Sequence, residues 1–88
     1  MGSQEFLNLC KAKVADYFNQ NKEKTDATSE LTVNDVFVVW YCKTLQNHKA
    51  LLSTPVSDGM YYELTYNGDR NELYFDAYKK WKNQCIEM

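Results

Sequence analysis

Met60-Tyr61-Tyr62-Glu63-Leu64-Thr65-Tyr66 is the clearest alternation in the chain. Met60, Tyr62, Leu64 and Tyr66 fall on one side, and Tyr61, Glu63 and Thr65 on the other. Successive side chains of a strand point to opposite faces, so this is an antiparallel strand buried on one face only. Asn67-Gly68-Asp69-Arg70 follows as a strong turn signal. A two-residue Asn67-Gly68 loop would set Glu63 opposite Glu72, and like charges facing across a ladder cost stability. A four-residue loop pairs Leu64 with Leu73 and Tyr62 with Phe75 instead, which favours the longer hairpin.

Upstream, Val56-Ser57-Asp58-Gly59 reads as another turn. Before it, Val36-Phe37-Val38-Val39-Trp40-Tyr41-Cys42 is the densest β-forming stretch, and both of its alternating sets are apolar. That is the pattern of a strand covered on two sides. Gln46-Asn47-His48 suits a hairpin turn, because Asn and His accept positive φ more readily than most residues. The return strand is then Lys49 to Thr54. Pro55 ends it, having no amide proton to give to a ladder.

Outside this β region the period changes. Phe6, Cys10, Val14 and Tyr17 follow i, i+4, i+8, i+11 spacing, with Leu7 and Phe18 widening the stripe, so residues 4–20 are expected to form an amphipathic helix. Residues 21–31 are polar and aperiodic, as in a mobile loop. Thr32, followed three residues later by Asp35, resembles a helix-start signal and suggests one short turn. Tyr74, Tyr78, Trp81 and Cys85 recur at i, i+4, i+7, i+11, which predicts a C-terminal helix over about 75–86. The expected fold is one α+β domain over 1–88: an N-terminal helix, an antiparallel meander of three strands plus a short fourth, and a C-terminal helix. The helices should cover the sheet face bearing Tyr62, Leu64 and Tyr66. The expected core includes Phe6, Cys10, Val14, Phe18, Val38, Trp40, Leu64, Tyr78 and Trp81. Met1-Gly2-Ser3 reads as a cloning remnant and carries no functional weight.

Composition narrows the classes of function. Hydrophobic residues at 44% and charged residues at 25% describe an ordinary folded domain. A net charge of −2 is neither the basic surplus of a duplex-DNA binder nor the strong acidity of a DNA mimic. Cys10, Cys42 and Cys85 are odd in number and far apart, which favours reduced thiols in a cytoplasm over a disulfide framework. With His48 the lone histidine, a zinc site would need ligands from three distant segments, so no metal is expected. No apolar run approaches membrane-spanning length.

Motifs for catalysis are equally sparse. His48 is expected at a hairpin tip, where water would keep it from acting as a poised base. Asp58 and Asp69 belong to turns and cap amides, while Glu63, Glu72 and Asp76 fall on the wet face. The chain contains no phosphate-binding glycine loop, dinucleotide fingerprint or zinc-protease motif. We therefore expect a protein that is not an enzyme and takes no cofactor. Seven tyrosines, four phenylalanines and two tryptophans among 88 residues exceed what one small core needs, and Tyr and Trp are favoured interface anchors. Tyr61 and Tyr74, with Tyr41 beside them, are the rings expected on the outer face. They point to protein binding, either to another protein or by self-association, and an uncovered edge strand offers a second docking mode. Single-stranded nucleic acid is the alternative: bases would stack on the aromatic face and Lys79, Lys80 and Lys82 would supply a positive edge. Against it, Glu63, Glu72 and Asp76 share that face.

Certain runs of residues carry a resemblance. They are Val39-Trp40, Cys42-Lys43-Thr44-Leu45-Gln46-Asn47, Lys49-Ala50-Leu51-Leu52-Ser53-Thr54 and Asp58-Gly59-Met60-Tyr61-Tyr62-Glu63, then Thr65-Tyr66-Asn67-Gly68-Asp69 and Asp76-Ala77-Tyr78-Lys79-Lys80-Trp81. Together they resemble a family of small uncharacterised proteins of phages and prophages of Gram-positive bacteria. The resemblance covers about half of the chain. It implies a phage accessory protein made in the bacterial cytoplasm, and it assigns no reaction and no binding residue.

Overall fold

A long amphipathic helix comes first. In the computed structural model, which describes residues 1–21 and 30–88, α1 spans Ser3–Asn21 and buries Phe6, Cys10, Val14 and Ala15. This is the expected stripe. Most of the loop anticipated over 21–31 lies outside the described residues. Its far end is anchored, however: Asn19 Nδ2 donates to the Leu31 carbonyl at 2.9 Å, and Leu31 N donates to Asn19 Oδ1 at 2.8 Å. A single 3-10 turn, Val33–Asp35, follows where Thr32 and Asp35 suggested one. The Thr32 amide donates to Asp35 Oδ2 at 2.9 Å, which closes the turn.

Four antiparallel strands then form a meander in the order β1-β2-β3-β4: β1 Phe37–Thr44, β2 Asn47–Ser53, β3 Met60–Asn67 and β4 Glu72–Lys79. Helix α1 lies on one face, against β1, β2 and the 3-10 turn. Beneath it are Ala50 and Leu52 of β2 and Tyr62 and Leu64 of β3, all buried with Phe6, Cys10 and Val14. Fully burying a large apolar side chain contributes roughly 1.5–3 kcal/mol, so this small set supplies much of the favourable free energy of folding. Rings add directional contacts: Tyr17 meets Tyr62 edge-on at 5.7 Å, and Phe75 at 5.2 Å.

Several expectations are corrected. The C-terminal helix is absent: β4 runs to Lys79 as a full-length fourth strand, and residues 80–88 have no regular structure. Pairing with β3 along its whole length satisfies the backbone of residues 72–79 and brings Leu73 and Phe75 against the core, which outweighs the helical spacing. Tyr78 and Trp81, expected in the core, are therefore 51% and 91% exposed. The β3–β4 loop has four residues as argued but occupies Gly68–Asn71, one step later than expected. Leu64 consequently faces Phe75 and Tyr66 faces Leu73, which preserves each face and still matches apolar with apolar. The β1–β2 turn is Leu45-Gln46, with Leu45 at φ 55°, so His48 lies within β2 rather than at a tip.

The largest departure is in β1. Val38 faces Leu52, but Trp40 faces Leu51, so Val39 is an extra residue in the ladder. Such a bulge reverses the inward–outward phase of everything beyond it. Val38 and Tyr41 turn toward the helix, and Trp40, expected in the core, is 41% exposed. Nor is β1 covered on both sides: it is an edge strand with one face open.

Candidate interaction surface

The face of the sheet away from α1 follows from this register. Residues facing one another across an antiparallel ladder share a face. From β1 through β4, Trp40, Leu51, Glu63 and Asp76 form one row, and Cys42, Lys49, Thr65 and Tyr74 the next. Tyr61 faces Tyr78, and Phe37 faces Ser53, on the same side. Phe37, Trp40, Tyr74 and Tyr78 are exposed there, and Leu51 and Tyr61 are half-buried by their neighbours. A shallow depression beside Trp40 is lined by Cys42, Thr44, Lys49 and Thr65. No element among the described residues packs on this side.

Charge on the face is uneven. Lys49 Nζ sits 3.4 Å from Glu63 Oε1, and it is the only cation in the two central rows. Glu63 also lies opposite Asp76, a like-charge pair, and Glu72 stands further along β4 on the same face. Aromatic rings therefore surround a patch with surplus negative charge.

The expected site residues separate. Tyr61 and Tyr74 stand on the open face. Tyr41 does not, because the Val39 bulge turns it toward α1, where its ring lies 5.9 Å from that of Phe6. Its hydroxyl is 2.6 Å from His48 Nδ1 and 2.9 Å from Ser3 Oγ. His48 is 2% exposed, stacks on Phe6 at 4.9 Å, and places Nε2 3.1 Å from the Met1 carbonyl. Both ring nitrogens are thus engaged, and the cluster fastens the N-terminus to the sheet. Lys79 faces Met60 on the helix side, whereas Lys80 and Lys82 lie past the end of β4; Lys80 N donates to the Gly59 carbonyl. Lys79 therefore does not line the aromatic face.

Sequence reasoning missed Phe37, Trp40, Leu51 and Tyr78 as members of this surface. For Tyr78 a signal existed: it lies four residues after Tyr74, a spacing that fits one face of a strand as well as one face of a helix. For Trp40 none did, since a bulge leaves no mark on periodicity.

Burial shifts two titrating groups. The Cys10 thiol is pushed from 9.0 up to about 12 by its apolar surroundings. The Tyr62 phenol rises from 10.0 to about 12, chiefly by burial, with smaller contributions from Asp58 and Tyr17. Neither belongs to the open face. Cys42 and Cys85 are free and exposed. Among the described residues no cluster of His, Cys, Asp and Glu could hold a metal ion. No described helix is long and apolar enough to cross a membrane.

Residues 7–88 match DUF6275, a family of unknown function. The chain belongs to the DUF6275 family. The matched range contains the whole sheet, its open face and the C-terminal segment, whereas Met1, Ser3 and Phe6 of the N-terminal anchor precede it. Neither the curated proteins nor the solved structures include a match to this DUF6275 chain.

Proposed function

We propose that this DUF6275 protein is a non-enzymatic accessory protein of phage or prophage type, acting in the bacterial cytoplasm by binding another protein through its open sheet face. The observation that carries the reading is the face itself: Phe37, Trp40, Leu51, Tyr61, Tyr74 and Tyr78 share one side of the sheet, uncovered among the described residues. Isolated exposed rings are ordinary, but a contiguous aromatic patch on a small domain is a typical docking surface. The acidic residues among the rings favour a partner that presents Lys or Arg between apolar side chains. Such cations pair with Glu63, Glu72 and Asp76 and rest on Tyr or Trp faces. The same charge balance disfavours the alternative, single-stranded nucleic acid, which needs a basic groove along its stacking platform.

The test uses tagged wild-type protein and its Trp40→Ala and Tyr74→Ala variants, exposed to lysate of a Gram-positive host carrying a related prophage. The captured partner is then purified and titrated. The expected result is one partner whose affinity falls about tenfold or more for either variant and weakens with added salt, while Lys13→Ala on the helix side leaves it unchanged. Capture that all three variants retain equally, or no specific capture, overturns the reading. A titration with single-stranded DNA at low salt serves as the other arm. Salt-steep binding lost on replacing Lys79, Lys80 and Lys82 with Ala would install the nucleic-acid reading instead.

A further inference from the structure

The two edges of the sheet are not equally protected. At β1 the Val39 bulge interrupts the ladder, and bulges are a recognised guard against unwanted strand pairing. At β4, eight regular residues run without proline or bulge, and among the described residues nothing pairs with their outer side. Helix α1 does not cover this edge either: an open groove between Tyr17 and Gln20 of α1 and Leu73 and Phe75 of β4 leaves the strand accessible.

A strand edge of this kind can take a second copy of itself. Two β4 strands related by a twofold axis normal to the sheet run antiparallel and keep each face on its own side. Side chains that oppose one another must then come from the same face, so the axis passes through a residue rather than between two. Centring it on Tyr74 sets Glu72 against Asp76 twice, and centring it on Asp76 sets that carboxylate against its own copy. Both arrangements oppose like charges. Centring it on Phe75 opposes none. Phe75 then meets Phe75 and Leu73 meets Ala77 on the helix side, extending the apolar layer. On the open side Tyr74 meets Asp76 and Glu72 meets Tyr78, each a phenol beside a carboxylate.

We propose that the chain forms a homodimer by antiparallel pairing of β4 with β4 across Phe75, giving a continuous eight-stranded sheet. The dimer rests on the strand edge and its charge pattern, and it stands whether or not the open face binds the partner proposed above.

Sedimentation equilibrium of the full chain over a wide concentration range reads this directly, with circular dichroism to verify that each variant is folded. A concentration-dependent monomer–dimer equilibrium is expected. Tyr74→Glu places a carboxylate opposite Asp76 at two symmetric positions and should weaken dimerisation about tenfold or more. Adding Asp76→Lys to it turns those contacts into opposite-charge pairs and should restore the dimer. Should Tyr74→Glu fail to fold, Tyr78→Glu, which opposes Glu72, tests the same register. A monomer at every concentration, a dimer indifferent to these changes, or no rescue by Asp76→Lys overturns the proposal.

Discussion

Cys10 and Tyr62 set how the fold responds to alkali. Both are buried, and both are held protonated in the fold up to about pH 12, although the same groups in an unfolded chain ionise near 9.0 and 10.0. Above those lower values the unfolded chain releases protons that the folded chain keeps, so rising pH favours unfolding. Stability contributed by these groups is complete below about pH 9 and is lost as pH climbs toward about 12. The urea midpoint should therefore stay level up to about pH 9 and then fall, and Cys10→Ala should delay the onset until Tyr62 begins to matter near pH 10. An unchanged onset in that variant would show that the thiol is not the responsible group. His48 illustrates the other use of burial. Its two nitrogens and its ring face are all occupied, by Tyr41, Met1 and Phe6. Its position was misjudged from sequence because one turn was placed too late. With Leu45-Gln46 as the turn, His48 shares the face of Ala50 and Leu52, and the even spacing places it indoors.

Among the elements, the two hairpin ends are locked together. Gly68 N donates to Asn47 Oδ1 at 2.9 Å, and Gln46 Nε2 donates to Asp69 Oδ1. A Cβ on Gly68 would collide with the carbonyl and side chain of Gln46, so glycine is required there for space and not for its φ. Gly68→Ala should cost about 1–3 kcal/mol in denaturant unfolding, because the β1–β2 turn must move to admit the methyl group. Strand β3 was legible in full because one of its faces is wet and the other dry, which writes the period into the residue types. Strand β4 was not. Tyr74 and Tyr78 satisfy a period of two and a period of 3.6 equally, and the choice between them was made by β3, a partner that no local window contains. Helix α1 was legible for the opposite reason, since Leu7 and Tyr17 join Phe6, Cys10 and Val14 in one stripe at odd and even positions alike, which fits a period of 3.6 and excludes a period of two. The open face was half legible: Tyr61 and Tyr74 come from the clean alternation of β3 and its pairing, whereas Trp40 depends on the bulge.

The molecule as a whole is a thin slab, 42 × 41 × 19 Å, with a radius of gyration of 14.5 Å where about 12 Å is usual for a compact domain of this length. Among the described residues one helix lies on one side of the sheet, and the C-terminal segment adds nothing to the core: every residue from Trp81 to Met88 is exposed. Removing residues 81–88 should therefore shift the thermal midpoint by less than about 3 °C, and a larger drop in a melting scan would reveal packing by that segment. Any contribution of Trp81 or Ile86 would then be to contacts outside this fold. The bulge at Val39 has a consequence for how such a chain can change. Half-exposed and placed outside the ladder, its side chain is replaceable by many others, and the pairing on either side of it stays in phase without it. Loss of that single codon would straighten β1: Trp40 would follow Val38 directly and still face Leu51, and Tyr41 would still face Ala50 with its hydroxyl on His48. At this point the chain tolerates miscounting as well as misspelling, and what a deletion would remove is the irregularity that guards this edge against a foreign strand.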